Sequence, residues 1–380
     1  RGGRRVVTAG LAMFWRGGAG GIIFFSGGGG GSARYRCEHV AEELRLQGFK
    51  TSVTIQDNPF LASYAETFQV FVFHRVLFTG HAEALIARAK ALKKEIIFET
   101  DDLVYDPRYI VRTEYFQKMN TFEQKLYAHG VGGEILADPF VKVATTTTSF
   151  LAEKLRAEGK QVFIIPNKLS ESDVALAEKA VQERSEQSEQ SARDTRGVRI
   201  GYLSGTASHN QDFATITEAL LRLFAQYTEM RLVITGPLIL DQAFEPYADR
   251  IERVPFMSRS VLFSHIASLD INLAPLELDS PFCESKSELK FFEAGIVSVP
   301  TVAVANQTYR EAITDGVDSY TARTTDEWVE KLGRLIEDRD LRINMGKAAR
   351  ATARSRYVTT TGWNNEYAAY LRRIIHSESL

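Results

Sequence analysis

The chain has 380 residues, room for two domains at about 150 residues each. Hydrophobic residues make up 44% and charged residues 25%, a balance that excludes wholesale disorder. Lys and Arg number 46 against 48 Asp and Glu, a net charge of -2, so the global positive field of a dedicated nucleic-acid binder is absent.

Cys37 and Cys283 lie far apart in sequence and cannot alone build a disulfide framework or a zinc site, which fits a reduced, cytoplasmic protein. No apolar run reaches the roughly 18 residues that a membrane-spanning helix needs. The basic start Arg1–Arg5 followed by Val6 to Trp15 loosely imitates a signal peptide. Arg16 and the glycines after it, without an A-x-A-like cleavage site, argue against one. The sequence opens without Met, and residues 1–25 are given the least weight.

In chain order, twelve of the 27 glycines fall within the first 31 residues, ending in the run Gly27 to Gly31. The segment from Ser32 reads as a helix, with Val40, Leu44 and Leu46 at helical spacing, Ser32 as N-cap and Gly48 as C-cap. Thr51 to Ile55 is the next strand, and glycine-rich loop, helix and strand make a βαβ-type unit. Phe68 to Phe73 is a strand, Leu85 to Leu92 mark a helix face, and Glu95 to Phe98 is a strand breaking into Glu99-Thr-Asp-Asp102. Val141 to Thr145 (strand), Ser149 to Glu158 (helix) and Val162 to Ile165 (strand) follow. Residues 168–196 are polar, charged and poor in aromatics, a connector or a solvated helix. A second alternating set begins with the strand Val198 to Leu203, the helix Phe213 to Tyr227 and the strand Arg231 to Thr235. It continues through the helix Ser260 to Ser268, the strand Asp270 to Ala274, the helix Ser287 to Ala294 and the strand Thr301 to Ala305. From Thr325 the chain reads as helical, and Trp363 to Ile375 carries an apolar and aromatic stripe.

Two alternating sets predict an α/β fold of two Rossmann-like, doubly wound domains facing across a cleft. The expected divisions are 1–167, the polar linker 168–196, 197–358, and a C-terminal helix over 359–380 packing back on the first domain. Ligands in such sheets bind beyond the carboxyl ends of the strands, where helix N-termini offer free N–H groups. Fold by itself assigns no function.

Residues 283–305 read CESKSELKFFEAGIVSVPTVAVA. With Glu293-Ala294-Gly295, Val299-Pro300-Thr-Val302, the strand Asp270 to Pro275 and Gly201-Tyr-Leu-Ser-Gly205, this block resembles the retaining, nucleotide-sugar-dependent glycosyltransferases of the GT-B class. The resemblance is to the family-4, or group 1, type. The first half looks like its polysaccharide-assembly branch, through Ser32-Ala-Arg-Tyr-Arg36, Phe73-His-Arg75 and Glu99 to Asp106. The resemblance covers nearly the whole chain from Ser32 onward, and 283–302 is its most specific part.

A nucleotide diphosphate sugar needs cations or N–H groups at its pyrophosphate and acceptors for its ribose hydroxyls. Lys286 and Lys290, four apart, are expected on one helix face, where an ammonium would add to the helix dipole in neutralising phosphate. A solvated amphipathic helix is the plainer reading, but like charges at Glu284–Glu288 and Lys286–Lys290 disfavour it by a few tenths of a kcal/mol each. The resemblance implies that Glu293 accepts from the ribose hydroxyls, as the second of the family's two glutamates. The first belongs at position 285, which is Ser; Glu284, one position off, or Glu288 would take its place at the donor sugar. The family's Arg and Lys pair after the first strand of the second domain is missing. In its place stands Ser204 to Asp212, with Gly205, Thr206 and His209 expected at phosphate, alongside Ser287; an N-cap loop closed by Asp212 is the other reading.

On the first domain, Gly27 to Gly31 reads either as a phosphate-approach loop or as part of a flexible N-terminal stretch, and Ser32 breaks the G-x-G-x-x-G pattern of dinucleotide binding. His74 and Arg75 follow a strand, where a polar pair is expected to project into the cleft; a structural histidine is the other reading of His74. Asp101 and Asp102 end another; adjacent strand residues point oppositely, so one is expected in the cleft and one as a cap. A cleft carboxylate would steady oxocarbenium-like charge or orient an acceptor hydroxyl. His74, Arg75, Asp101, Asp102 and Glu284 are therefore the catalytic candidates. No cofactor is expected besides the donor, and no metal, since lysines can replace it.

The expected activity is transfer of a sugar from a nucleotide diphosphate donor to a polysaccharide or lipid-linked glycan acceptor, with retention. A sugar-nucleotide epimerase of the same fold and a non-catalytic nucleotide-sugar binding protein are the alternatives. The expected partners are the donor and the glycan acceptor, without nucleic acid. The expected place is the cytoplasm, with peripheral membrane contact left open.

Overall fold

The computed structural model describes residues 21–111, 114–117, 119–127, 129–190, 197–205 and 210–376. The chain divides into two compact units. The first comprises 1–168, 285–287 and 362–380, and the second 169–284 and 288–361. The stretch Val6 to Trp15, with its likeness to a signal peptide, lies outside the described residues.

The first unit is built on six parallel strands: β1 (Ile22–Ser26), β2 (Thr51–Ile55), β3 (Val70–His74), β4 (Glu95–Thr100), β5 (Val143–Thr146) and β6 (Gln161–Ile164). They lie in the order β2-β1-β3-β4-β5-β6. Parallel sheets are covered on both faces, which is why β1, β3 and β4 read as unbroken apolar runs (IIFF, VFVF, IIF) rather than alternating ones. On one face Ile22, Phe24, Val70, Val72 and Ile97 pack with Leu44 of the first helix and with Tyr367, Tyr370 and Leu371. The last three belong to the helix Asn365–His376, so the C-terminal stripe completes this core. On the other face Phe25 stacks on Phe73 with centroids 4.8 Å apart.

The helical run after β1 comprises Gly31–Ala33, a wider π-helical stretch Arg34–His39 and Val40–Leu46. Its N-cap is Gly30, so Ser32 lies inside the first turn rather than capping it. Gly48, at φ +89°, follows the helix end, as its sequence position predicts.

The second unit carries β7 (Arg199–Leu203), β8 (Arg231–Thr235), β9 (Ile251–Val254), β10 (Ile271–Ala274), β11 (Thr301–Val304) and β12 (Tyr320–Ala322), all parallel, in the order β12-β11-β10-β7-β8-β9. Counted from β7 this is the doubly wound order 3-2-1-4-5-6 seen from its other edge. β9 and β12 are the two edge strands, and neither is signalled by the sequence: one is half exposed (IERV) and the other spans three residues. Part of the polar stretch 168–196 is no connector. It forms the 20-residue helix Glu171–Gln190 of the second unit.

The single helix expected over Phe213 to Tyr227 is two, Asn210–Ala214 and Thr217–Gln226. Between them the Thr215 hydroxyl donates to the Asp212 carbonyl at 2.7 Å, offering that carbonyl a partner other than a helical amide. Among the described residues no helix is long and apolar enough to cross a membrane.

Candidate active site

In an open parallel sheet the loops after two neighbouring strands diverge where the strand order reverses, and ligands bind at that opening. In the first unit the reversal lies between β1 and β3. Gly27 closes β1 with its amide donating to the His74 carbonyl at 2.9 Å. Gly28, Gly30 and Gly31 have open space where a Cβ would stand.

Four of the five catalytic candidates meet at this opening. The Ser32 hydroxyl donates to Asp101 Oδ2 at 2.8 Å and lies 2.8 Å from His74 Nε2. With the hydroxyl proton committed to Asp101, the imidazole donates from Nε2–H, a tautomer assigned from the bonding pattern. His74 is buried, with Nδ1 3.9 Å from Glu99 Oε1. Burial, more than any neighbour, pushes its pKa down to about 3, so the imidazole is neutral.

Arg75 adopts a left-handed backbone (φ 50°), an uncommon conformation for a residue with a side chain. Its Nε donates to Asp101 Oδ1 at 2.7 Å, and Nη2 donates to Asp102 Oδ2. Asp102 also accepts from the Val104 amide at 2.9 Å, capping the turn Leu103–Tyr105. The expectation that one of the two aspartates caps holds for Asp102. Both carboxylates converge on Arg75, because β4 ends at Thr100 and strand alternation no longer governs 101 and 102. Burial would raise Asp101, but Arg75, and then the Ser32 hydrogen bond, hold it well below the usual carboxylate range. Burial prevails at Asp102, which is raised, with Asp101 adding to the shift and Arg75 and Lys286 opposing it.

Beneath this cluster lies a pair that sequence reasoning misses. Arg36 and Glu99 meet in the interior, and Arg36 Nη1 also donates to the Ile165 carbonyl at 2.6 Å and to Asn167 Oδ1 at 3.0 Å. Asn167 Nδ2 donates to Ser287 Oγ at 2.9 Å, so Ser287 is held by the first unit, and 285–287 belongs with that unit. Both members stand in conspicuous segments, Ser32-Ala-Arg-Tyr-Arg36 and Glu99-Thr-Asp-Asp102, but nothing local marks them as partners.

In the second unit the reversal lies between β7 and β10. The Lys290 ammonium donates to the carbonyl of Leu203, the last residue of β7, and sits 5.0 Å from the centroid of the Tyr202 ring. Gly205 follows, with nothing near a would-be Cβ. Thr206 and His209 lie outside the described residues. Asp212 is buried within its helix and accepts from the Glu277 amide and Cys283 Sγ, each at 3.3 Å; it ties loops together rather than capping.

The helix expected over Ser287 to Ala294 runs Leu289–Gly295. Lys286 therefore precedes it and does not share a helix face with Lys290. Glu288 stands at the helix N-cap, buried, with its carboxyl raised by desolvation. Glu284 ends the short helix Pro281–Glu284 and accepts from the Gln307 amide at 3.4 Å, while Ser285 is fully buried. Glu293 accepts from Arg259 Nη1, and Arg259 is a cation that no motif in the sequence singles out. Among the described residues no group of three or more His, Cys, Asp or Glu side chains could hold a metal ion.

Residues 214–364 match a family model described as glycosyl transferase-like. The sequence matches no curated protein. Solved structures are similar over nearly the whole chain. Alr3699/HepE of Anabaena, in complex with UDP and glucose, is 14% identical with a TM-score of 0.61, over 93% of this chain and 99% of that one. A glycosyltransferase from Rickettsia africae ESF-5 is 12% identical with a TM-score of 0.63, over 96% and 99%. WaaG, a glycosyltransferase involved in lipopolysaccharide biosynthesis, is 14% identical with a TM-score of 0.59, over 92% and 99%. At these identities the likeness is one of fold: the chain has the α/β, two-domain, Rossmann-like fold that these GT-B glycosyltransferases share.

Proposed function

We propose that the protein transfers a sugar from a nucleotide diphosphate donor to a hydroxyl of a polysaccharide or lipid-linked glycan acceptor, with retention of anomeric configuration. The observation that carries this reading is the Leu289–Gly295 helix. It sets the Lys290 ammonium at the end of β7 and Glu293 one turn on, inside the segment that matches the glycosyl transferase-like model. An ammonium there suits the pyrophosphate, and a carboxylate there suits ribose hydroxyls. UDP in the complex of the similar Anabaena protein supports a nucleotide donor.

The first unit's cluster is assigned to the acceptor. Asp101, kept ionised by Arg75, accepts from an acceptor hydroxyl beside the one that attacks and so orients the acceptor; neutral His74 and Ser32 fix that carboxylate. The acceptor oxygen attacks the anomeric carbon from the face the phosphate leaves. The bond from carbon to phosphate oxygen breaks, the bond to the acceptor oxygen forms, and a phosphate oxygen takes the acceptor proton. Lys290, Lys286 and the amides after Ser204 are assigned to the negative charge that develops on the leaving group. Glu284 is assigned to the donor sugar hydroxyls. Protein cations take the place of a metal, so turnover is expected to persist with a chelator present.

The test incubates the full chain with a panel of nucleotide sugars, with and without glycan acceptors, and reads the product's anomeric configuration by NMR. An acceptor-dependent product of the donor's configuration is expected. An epimerised donor, or binding without turnover across the panel, would overturn the reading.

A further inference from the structure

The side chains of Asp173, Arg259 and Glu293 form a chain of ion pairs in the second unit. Arg259 grips Asp173 with a two-pronged fork, Nε to Oδ1 at 2.8 Å and Nη2 to Oδ2 at 2.9 Å. The remaining amino group, Nη1, donates to Glu293 Oε1. The guanidinium carbon lies 4.7 Å from the centroid of the Phe263 ring, which covers one of its faces. Asp173 is itself pinned: its Oδ2 accepts from the Ser170 amide at 3.4 Å, and its own amide donates to Ser170 Oγ at 3.1 Å. The three charged side chains are 4%, 15% and 12% exposed, so water cannot readily substitute for any partner.

We infer that Arg259, locked by Asp173, is a positioning residue for Glu293 and sets how strongly the donor's ribose is read; the inference rests on the donor reading above. The Glu293 carboxylate, in the second turn of the short helix Leu289–Gly295, swings about three torsions, and accepting from ribose hydroxyls demands one orientation. A fork that is planar and bidentate has no freedom left once Asp173 and Phe263 hold it, so its third contact fixes the Glu293 carboxylate in advance of ligand. A lysine would supply the charge without that constraint. Asp173 opens the Glu171–Gln190 helix, in a stretch that composition alone marks as solvated; this bond gives its first turn a role at the donor.

The experiment measures binding of UDP, GDP and ADP to the full chain by calorimetry, then compares the tightest with its 2′-deoxy and 3′-deoxy counterparts. The wild type is expected to prefer the ribose form by about tenfold or more, the worth of one hydrogen bond to a charged group. Arg259→Met and Asp173→Asn are expected to lose most of that preference, while affinity for the deoxy forms moves less than about twofold. Arg259→Lys should restore it in part, and Arg259→Met added to Glu293→Gln should cost no further preference. Thermal unfolding follows each variant; if Arg259→Met does not fold, Asp173→Asn decides the matter. A folded variant that keeps the full ribose preference, or a wild type without one, overturns the inference and leaves the donor reading standing. No binding of any nucleoside diphosphate brings down both.

Discussion

Arg36 and Glu99 meet as two parallel hydrogen bonds inside the first unit, Nε to Oε1 at 2.8 Å and Nη2 to Oε2 at 3.1 Å, with neither side chain open to water. The Thr145 hydroxyl donates to the same carboxylate. Removing one charge from such a pair leaves the other stranded, and Arg cannot shed its proton to escape. Glu99→Gln keeps the shape and strands the guanidinium. It is expected to cost about 3–5 kcal/mol, read from the midpoint of urea unfolding. A cost within the roughly 1 kcal/mol of an exposed pair would mean that water reaches the site.

Gly27 has a different constraint, one of space. A Cβ there would stand 1.6 Å from the carbonyl oxygen of Arg75, a backbone atom that cannot swing away. Gly27→Ala must push β1 from β3 and strain the hydrogen bond from its amide to the His74 carbonyl, at a cost of at least about 1–3 kcal/mol. Because the same shift displaces His74 and Arg75, activity should fall with stability. Gly28→Ala, with open space at its Cβ, is the control and should change the unfolding midpoint little.

The legibility of this molecule follows from where its signals are local. The central strands announce themselves as apolar runs because parallel strands are buried on both faces, whereas β9 escapes because it is half exposed and β12 because it spans only three residues. His74, Arg75, Asp101 and Asp102 are legible because each ends a strand or follows one within two residues. Ser32, Arg36 and Glu99 carry no such mark; only the pairing of β1, β3 and β4 brings residues 42 and 69 apart within hydrogen-bond reach. Arg259 is silent for the same reason, since its partners lie 86 residues before it and 34 after. The shared face expected for Lys286 and Lys290 fails because periodicity cannot place a helix start to within two residues.

Arg75 separates two adjacent carboxylates and keeps Asp101 ionised. Arg75→Met leaves the aspartates facing one another in a buried site, so the pKa of Asp101 should rise. Transfer at neutral pH should then fall by about 100-fold, the cost of misplacing a reacting group by roughly an ångström. Arg75→Lys retains charge but cannot reach both carboxylates in one plane, and an intermediate rate is expected. Steady-state kinetics on folded variants decides this; a kcat unchanged in Arg75→Met would remove the cluster from the chemistry.

Lys290 makes its contacts at the end of β7, where charge would develop on the leaving phosphate. Lys290→Met is nearly isosteric and uncharged. Its kcat should drop by about 100-fold while donor affinity weakens much less, as for a donor group that acts chiefly in the transition state. Equal losses in affinity and kcat/KM, with kcat intact, would assign Lys290 to ground-state binding alone.

His74 titrates with a sign that can be worked out in advance. Burial holds the folded imidazole at about 3 against an ordinary 6.5, so between those values the unfolded chain binds a proton that the native protein refuses. Stability is therefore full above pH 6.5 and falls as pH drops through the window, by up to about 1.4 kcal/mol per pH unit for one proton. The lowered carboxyl of Asp101 works in the same direction but only below its ordinary 3.8, which leaves the range between the two to the histidine. The raised carboxyls of Asp102 and Glu99 act oppositely, so the comparison must be with His74→Gln, in which those groups remain. Urea unfolding at pH 7.5, 6.0 and 5.0 should show the wild type losing stability faster than the variant on acidification. The neutral imidazole also predicts a C2 proton resonance that does not shift between pH 8 and 5. A resonance titrating near 6.5 would place His74 in contact with solvent and leave Asp101 without the neutral support derived for it.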